Sequence, residues 1–294
     1  MTDRFTQDRQ LIEKRLDEIC QFYLRDLPAP LADSIRYGLK SPGKRLRPLL
    51  VLFAYRAAGG SGDASLLACA SEVIHCYSLM HDDLPCMDDD DMRRGRPTVH
   101  KVYGSKAAIL AGIAMIPLAA LVASEGLKRL GVAADVESRG IETLLEASGA
   151  RGMIGGQQSD LAGEGLSLSL AEREEIHSAK TGALIAGSVK LGALAAGAQA
   201  GQLNALERYG RDIGLAFQIM DDVLDVTSTT ATLGKTSGRD AVLGKSTYPA
   251  LLGVEGASQR ARSLIDDGLE ALREHGLLTQ DLSQVANFMV TRKS

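Results

Sequence analysis

Tryptophan is absent from this 294-residue chain, and Phe, Trp and Tyr together supply only 4% of it. Runs of alternating β-branched residues are scarce as well, while Ala, Leu, Ile and Gly recur at helical spacing over long segments. That combination weighs against a sheet protein and predicts an all-α fold of closely packed helices. No Pro/Gly/Ser-rich linker or low-complexity stretch interrupts the chain, so residues 1–294 read as one domain although the length alone would allow two. A basic excess is also missing. The formal net charge of −4 argues against a nucleic-acid partner. Cys20, Cys69, Cys76 and Cys86 form no CxxC pair, and Asp3, Arg4, Asp8 and Arg9 interrupt any apolar leader. The expectation is a reduced, cytoplasmic protein with ordinary buried thiols. The uncharged run from Ala107 to Ser124 sits at the lower edge of a spanning length, but it contains Gly112 and Pro117. It reads as a buried core helix and not as a membrane span.

Against this apolar background stand two aspartate clusters, Asp82-Asp83-Leu84-Pro85-Cys86-Met87-Asp88 and Asp221-Asp222-Val223-Leu224-Asp225. Between Ile213 and Val226 the polar side chains are Gln218, Asp221, Asp222 and Asp225, at i, i+3, i+4 and i+7. On a helix these form one stripe. Three carboxylates on the polar stripe of a buried helix would repel one another and lose hydration, unless they face a cavity holding divalent metal. All-oxygen ligation of that kind suits Mg2+, which keeps waters and bridges to substrate phosphates. Upstream of the first cluster, Ala68 to His81 contains no Gly or Pro and predicts a helix that stops near Pro85. Ser71, His75, Ser78 and Asp82 share one face of it.

Cations are placed to match. The loop Lys40-Ser41-Pro42-Gly43-Lys44-Arg45-Leu46-Arg47-Pro48 opens an apolar helix from about Leu49 to Ala58, where side chains and helix N-terminal amides can cradle phosphate. Asp89, Asp90 and Asp91 give way abruptly to Arg93-Arg94-Gly95-Arg96, which sets bidentate oxyanion binders beside the acids. The glycines of Gly152-Met153-Ile154-Gly155-Gly156-Gln157 predict a close helix approach or a bend, and Lys180-Thr181-Gly182 falls in a helix beginning near Ala171. Gly244-Lys245-Ser246 has the end of a phosphate loop, but Arg239 occupies the upstream glycine position, which excludes a P-loop nucleotidase.

Taken together these motifs resemble the trans-isoprenyl diphosphate synthases, in particular the bacterial farnesyl type, over nearly the whole chain. The resemblance rests on Gly43-Lys44-Arg45-Leu46-Arg47-Pro48, both aspartate motifs, Arg93-Arg94-Gly95, Gly155-Gly156-Gln157, Lys180-Thr181-Gly182, Gly244-Lys245-Ser246-Thr247-Tyr248-Pro249 and the terminal Phe288 to Arg292. It implies a bundle of ten or more helices around a deep central cavity, and a homodimer. The four-residue spacer between Asp83 and Asp88 fits the bacterial farnesyl and plant geranylgeranyl types.

The resemblance further implies that Asp82 and Asp88 bind two Mg2+ and Asp221 a third, with Asp83, Asp222 and Asp225 assisting. Arg93, Lys180, Thr181, Gln218, Lys235 and Lys245 would hold an allylic diphosphate, and Lys44, Arg47, His75 and Arg94 isopentenyl diphosphate. Of these, Asp82, Asp88, Asp221, Lys180 and Lys235 carry the catalytic expectation. Tyr77, five positions before Asp82 and roughly 7.5 Å deeper along a helix, would floor the cavity and set product length. One departure stands out: where the family has Asp-Ala-Leu after Gly112, this chain has Ile113-Ala114-Met115 with Pro117 one turn on. Loss of that acid and a bend at Pro117 are the expected consequences. The alternatives are a geranylgeranyl diphosphate synthase and a non-catalytic partner subunit. A class I terpene cyclase would carry Asn-Asp followed by Ser and Glu as its second motif, which Asp221 to Asp225 does not match.

Overall fold

The computed structural model describes residues 3–227 and 247–292. In chain order it forms α1 (Asp3–Tyr23), α2 (Ala29–Leu39), α3 (Leu46–Ala57), α4 (Ser65–Asp82), a hairpin of β1 (Met92–Arg93) with β2 (Arg96–Pro97), and α5 (Val99–Tyr103). There follow α6 (Ser105–Arg129), α7 (Ala134–Ser148), α8 (Met153–Ala162), α9 (Leu170–His177), a π turn (Ser178–Gly182), α10 (Ala183–Ala195), α11 (Ala200–Thr227), α12 (Tyr248–Glu274) and α13 (Gln280–Thr291). The all-α expectation holds, with a two-residue hairpin as the strand content among the described residues. The chain divides into two compact units, Met1–Leu52 with Ser61–Ile141, and Phe53–Gly60 with Glu142–Ser294.

The first unit is organised on α4, where Leu67, Ala68, Cys69, Ala70, Val73 and Ile74 are fully buried. α6 lies along it and presents small residues: a Cβ at Gly126 would stand 2.6 Å from the Leu67 amide nitrogen, so only glycine permits this approach. By length and hydropathy α6 could cross a membrane, yet Ala108, Ala111, Met115, Ala119, Val122 and Ala123 are buried within the unit, as a core helix requires. It runs on through Pro117. Its other face carries exposed Ile109, Leu110, Ile113 and Leu121. α1 buries Phe5, Ile12, Leu16 and Ile19 along one face and leaves Phe22 exposed.

Arg45 ties this unit together. Its side chain is wholly buried and donates to Glu13 of α1 (2.7 Å), Glu72 of α4 (2.7 Å) and the carbonyls of Leu39 (3.1 Å) and Ser41 (2.8 Å). A buried guanidinium is tolerated only when so fully bonded. α3 begins at Leu46, three residues before the sequence predicts, so Arg47 and Pro48 lie in its first turn, where a missing N–H costs nothing.

In the second unit α11 is the spine. α10, α12, α13 and the π turn pack against it. Gly210 faces the Ala186 Cα and Gly214 the Gly182 Cα, so that an added Cβ would come within 2.7 and 2.8 Å of them. Tyr209, fully buried, donates to the Leu282 carbonyl at 2.8 Å and fixes α13. α9 starts at a capping box in which the Ser169 amide donates to Glu172 (2.9 Å) and the Glu172 amide donates back to the Ser169 hydroxyl (3.4 Å). The four cysteines are free. Cys20, Cys69 and Cys76 are buried, but Cys86 is exposed, because it lies in the loop between the aspartates and not on a packed helix face.

Asp212 of α11 generates a pH prediction. Burial raises its carboxyl pKa to about 6, with Arg208 opposing, and Oδ2 has no hydrogen-bond partner among the described residues. The folded protein therefore holds this proton at pH values where the unfolded chain, with a value of 3.8, has lost it. Stability falls as pH rises between those two values, and the penalty is complete above the upper one. Asp212→Asn removes the ionisable group, and at pH 7.5 it should stabilise the fold by about 1–3 kcal/mol. Thermal melts should show that gain at pH 7.5 and its disappearance near pH 4.

Candidate active site

Within the first unit, α4 delivers Asp82 to its last turn and ends as predicted before Pro85. The four-residue spacer then folds back so that the Asp88 amide donates to the Asp82 carbonyl at 2.8 Å, which brings the two ends of the motif together. Asp82 and Asp88 are both half-exposed, whereas Asp83 is buried and accepts from Arg93 Nε at 2.5 Å. Burial raises the Asp83 pKa, and Arg93 works in the opposite direction. Arg93 also reaches Asp90 at 3.2 Å. The motif thus separates into two accessible carboxylates and one that anchors an arginine.

That arginine sits on the hairpin, whose turn residues Arg94 (φ 52°) and Gly95 (φ 75°) both lie in the left-handed region that a tight two-residue turn needs. The turn aims Arg94 at the Pro42 carbonyl (3.0 Å) and at His75 Nε2 (3.3 Å). Gly43 leaves room for it, since a Cβ there would stand 2.5 Å from Arg94 Nη1. His75 and Arg94 are therefore brought together as predicted, next to the loop bearing Lys44, which is exposed. Burial, then the charges of Arg47 and Arg94, push the His75 pKa well below the usual histidine value, so its ring is neutral. Arg47 shares these surroundings. Its guanidinium makes no hydrogen bond among the described residues, Nε is buried without a partner, and burial lowers its pKa to about 10. An under-satisfied arginine beside Arg94 and a neutral imidazole calls for an anion. Ser71 and Ser78, placed on the same helix face by spacing, are buried and bond back to the carbonyls of Ala68 (2.8 Å) and His75 (2.9 Å). They take no part.

Tyr77 is 3% exposed, with its ring edge-on to His81 at 5.8 Å. Burial and the nearby Asp82 raise its pKa to about 12, so it stays a neutral phenol. His81 Nε2 lies 3.2 Å from the Ile109 carbonyl, and a Cβ at Gly112 would meet that same ring atom at 2.0 Å. A small cleft open to solvent in this unit is lined by Tyr37, Cys76, Met80, Asp83, Arg93 and Arg94 among others.

Within the second unit, α11 bears the predicted stripe. Thr181 donates to Gln218 at 2.9 Å, Asp221 accepts from Arg292 at 2.7 Å, and Asp222, 2% exposed, accepts from the Tyr248 amide at 3.1 Å. Asp225 is 7% exposed and has no hydrogen-bond or ion-pair partner among the described residues. Lys180 and Thr181 do not continue α9 as expected. They occupy the π turn, a single wide turn of the kind that recurs at functional sites. Gly156 explains how it is held: an added Cβ would lie 2.1 Å from the Lys180 amide nitrogen, so the predicted close approach is real. Lys180 Nζ donates to Asp160 at 2.7 Å, and Arg173 donates to the other oxygen at 2.9 Å. The two cations outnumber the one buried acid by a single positive charge. Lys235 and Lys245 lie outside the described residues.

Arg45, Arg292 and Asp160 carry no assigned role in the sequence motifs that contain them, and no motif includes Arg173. Gln157 has no assigned role there either, and that side chain is 6% exposed with both amide atoms unpartnered among the described residues. Asp89, Asp91 and His100 also gather ligand atoms within 4.8 Å of one another. Their proximity arises from the hairpin, which no local periodicity announces.

The donor set fits Mg2+. It is composed of oxygens, and the buried Asp225 carboxylate has no neutralising partner among the described residues, which a cation would supply.

Comparison with known proteins agrees with this chemistry. The polyprenyl synthetase family model matches residues 28–282. The chain is 45% identical to the farnesyl diphosphate synthase of Escherichia coli (strain K12), with 98% of this chain and 99% of that protein covered. It is 44% identical to the chloroplastic geranylgeranyl pyrophosphate synthase of Catharanthus roseus, over 84% of this chain and 69% of that protein. Among solved structures, an FPP/GFPP synthase from Zymomonas mobilis superposes with a TM-score of 0.80 at 34% identity, covering 98% of this chain and all of the other. A family model spanning most of the sequence, matched by the acid stripe and the cations around it, places this chain in the polyprenyl synthetase family.

Proposed function

We propose that the protein is a Mg2+-dependent prenyltransferase that condenses isopentenyl diphosphate with dimethylallyl or geranyl diphosphate to give farnesyl diphosphate. The observation that carries this reading is the α11 stripe, which bears Asp221 and Asp225 together with Gln218, itself bonded to Thr181 of the π turn that also presents Lys180. We propose that this stripe and the Asp82/Asp88 loop both serve diphosphate chemistry through Mg2+, and that residues 1–294 act as one polyprenyl synthase domain. Bound Mg2+, three ions in all, would neutralise the leaving diphosphate as a Lewis acid, two of them held by Asp82 and Asp88 and the third by Asp221. Asp83, Asp222 and Asp225 would assist. Lys180, Thr181, Gln218 and Arg93, with Lys235 and Lys245, would hold the allylic diphosphate oxygens.

Isopentenyl diphosphate would sit on Lys44, Arg47, His75 and Arg94. Its negative charge satisfies the Arg47 guanidinium and favours protonation of His75. The C–O bond of the allylic substrate breaks with its electron pair going to the diphosphate. The isopentenyl double bond then forms the new C–C bond, and a proton leaves to the released diphosphate, so no protein nucleophile is needed. Apolar walls keep water from the cation.

A homodimer is part of the proposal. Ile109, Leu110, Ile113 and Leu121 form an exposed apolar stripe along α6, which supports burial against a second copy. A cytoplasmic setting agrees with the four free thiols.

Asp82→Ala or Asp221→Ala should lower turnover by at least about 100-fold to 1000-fold, the range seen when one charge-stabilising donor is lost. Diphosphate release measured with both substrates at saturating Mg2+ tests this. An Asp221→Ala enzyme retaining more than roughly a tenth of the rate would remove the metal assignment, and no activity in the unmodified protein would favour a non-catalytic partner subunit.

Lys44→Ala and Arg47→Ala should raise KM for isopentenyl diphosphate more than KM for geranyl diphosphate. Equal effects on both substrates would mean that the two diphosphates are not held at separate places.

Product length divides the farnesyl reading from a geranylgeranyl one. Tyr77, buried one turn and a half below Asp82 and braced by His81, is placed to stop a chain growing down α4. Tyr77→Ala should shift the product from fifteen carbons toward twenty or more, with modest loss in the first condensation. Chromatography of the dephosphorylated products decides it, and an unchanged length in a folded, active variant would place the floor elsewhere.

A further inference from the structure

Arg292 follows the last residue of α13, and its backbone leaves the helix (φ −62°, ψ 150°) while its amide still donates to the Phe288 carbonyl. The side chain turns back onto α11. Its guanidinium carbon stands 3.8 Å from the Phe217 ring centroid, and Nη2 donates to the Phe217 carbonyl at 2.8 Å and to Asp221 Oδ1 at 2.7 Å. The side chain is 5% exposed, against 31% for Asp221. Asp221 Oδ2 has no hydrogen-bond or ion-pair partner among the described residues. One oxygen of the carboxylate is thus held by a buried guanidinium, and the other keeps its acceptor capacity.

We propose that Arg292 is a positioning residue for Asp221: it fixes the carboxylate rotamer and offsets part of the stripe's negative charge, leaving Oδ2 presented to a divalent cation. Three features support this over simple anchoring of the C-terminal helix. The contact is single and not a two-point fork, so the carboxylate keeps acceptor capacity. Stacking on Phe217 immobilises a side chain that otherwise has much rotamer freedom, and the same nitrogen is shared with a backbone carbonyl, so the hydrogen bond has a fixed origin. The anchoring of α13, moreover, is already provided by Tyr209 and its bond to Leu282. A group that orients a metal ligand from outside contributes tens-fold to metal affinity, and that is the effect to look for.

This inference rests on the reading of Asp221 as a metal ligand, and the experiment separates the two. Mn2+ binding to the full chain with inorganic pyrophosphate is followed by electron paramagnetic resonance, for the unmodified protein, Asp221→Asn, Arg292→Gln and a chain ending at Thr291. Asp221→Asn should lose one Mn2+ per chain. Arg292→Gln and the shortened chain should keep the number of sites but weaken one of them about 10- to 100-fold, with the helical circular dichroism and melting temperature unchanged. If Asp221→Asn binds Mn2+ as the unmodified protein does, the metal reading itself fails. If Asp221→Asn loses a site while both Arg292 variants bind normally, only the positioning role is overturned. Tighter Mn2+ binding in those variants would also overturn it, by showing that Arg292 competes with the metal. Should Arg292→Gln fail to fold, the shortened chain, which places no new side chain in the buried position, gives the answer by the same criteria.

Discussion

Carboxylate charge beside an apolar core is the constraint around which this molecule is arranged. An acid removed from water must be paired, protonated or given a cation, because leaving it bare costs several kcal/mol. The acids of the site differ in how far that demand is met. Asp160 lies between Lys180 and Arg173, Asp83 takes Arg93, Asp222 accepts a backbone amide, and Asp221 is held by Arg292. Asp225 has no such partner among the described residues, and Asp221 keeps one oxygen open.

Small residues make this charge pattern possible. Gly156 lets α8 approach the Lys180 backbone, and Gly214 and Gly210 let α11 approach the π turn and α10. With a methyl group at any of these places the helices would separate, and the short contacts from Lys180 to Asp160 and from Thr181 to Gln218 would lengthen. In the first unit Gly43 plays the same part, admitting the Arg94 guanidinium into hydrogen-bond range of Pro42 and His75. Electrostatics and packing are therefore linked through a few missing Cβ atoms.

The helical fold and the acid stripe were legible in the sequence because both are written in local periodicity. The spacing of Gln218, Asp221, Asp222 and Asp225 is a statement about one helix, and α11 bears it out. What local spacing cannot encode is a partner distant along the chain. Arg45 looks like one cation among four in a loop, yet it is a buried hub for Glu13 and Glu72, while Arg47, two residues on, is the under-satisfied one. Likewise Ser71 and Ser78 share a helix face with His75, but that face is partly interior, and both hydroxyls bond back to their own helix. The π turn at Lys180 was illegible for a different reason: it depends on α8 and α11 pressing on the turn from either side.

Two departures of this chain from its family pattern, Ile113 and Pro117, sit on the exposed face of α6. Adjacent helix residues point about 100° apart, so Gly112 and Ile113 address different surroundings. Gly112 faces inward and touches the His81 ring, which braces Tyr77, whereas Ile113 is 55% exposed. The family acid replaced by Ile113 is therefore lost from the outer face, and α6 continues through Pro117 without ending. The effect is to extend an apolar stripe with Ile109, Leu110 and Leu121. A charged residue in the middle of that stripe would have to be desolvated whenever a second surface covered it, and an isoleucine removes that cost.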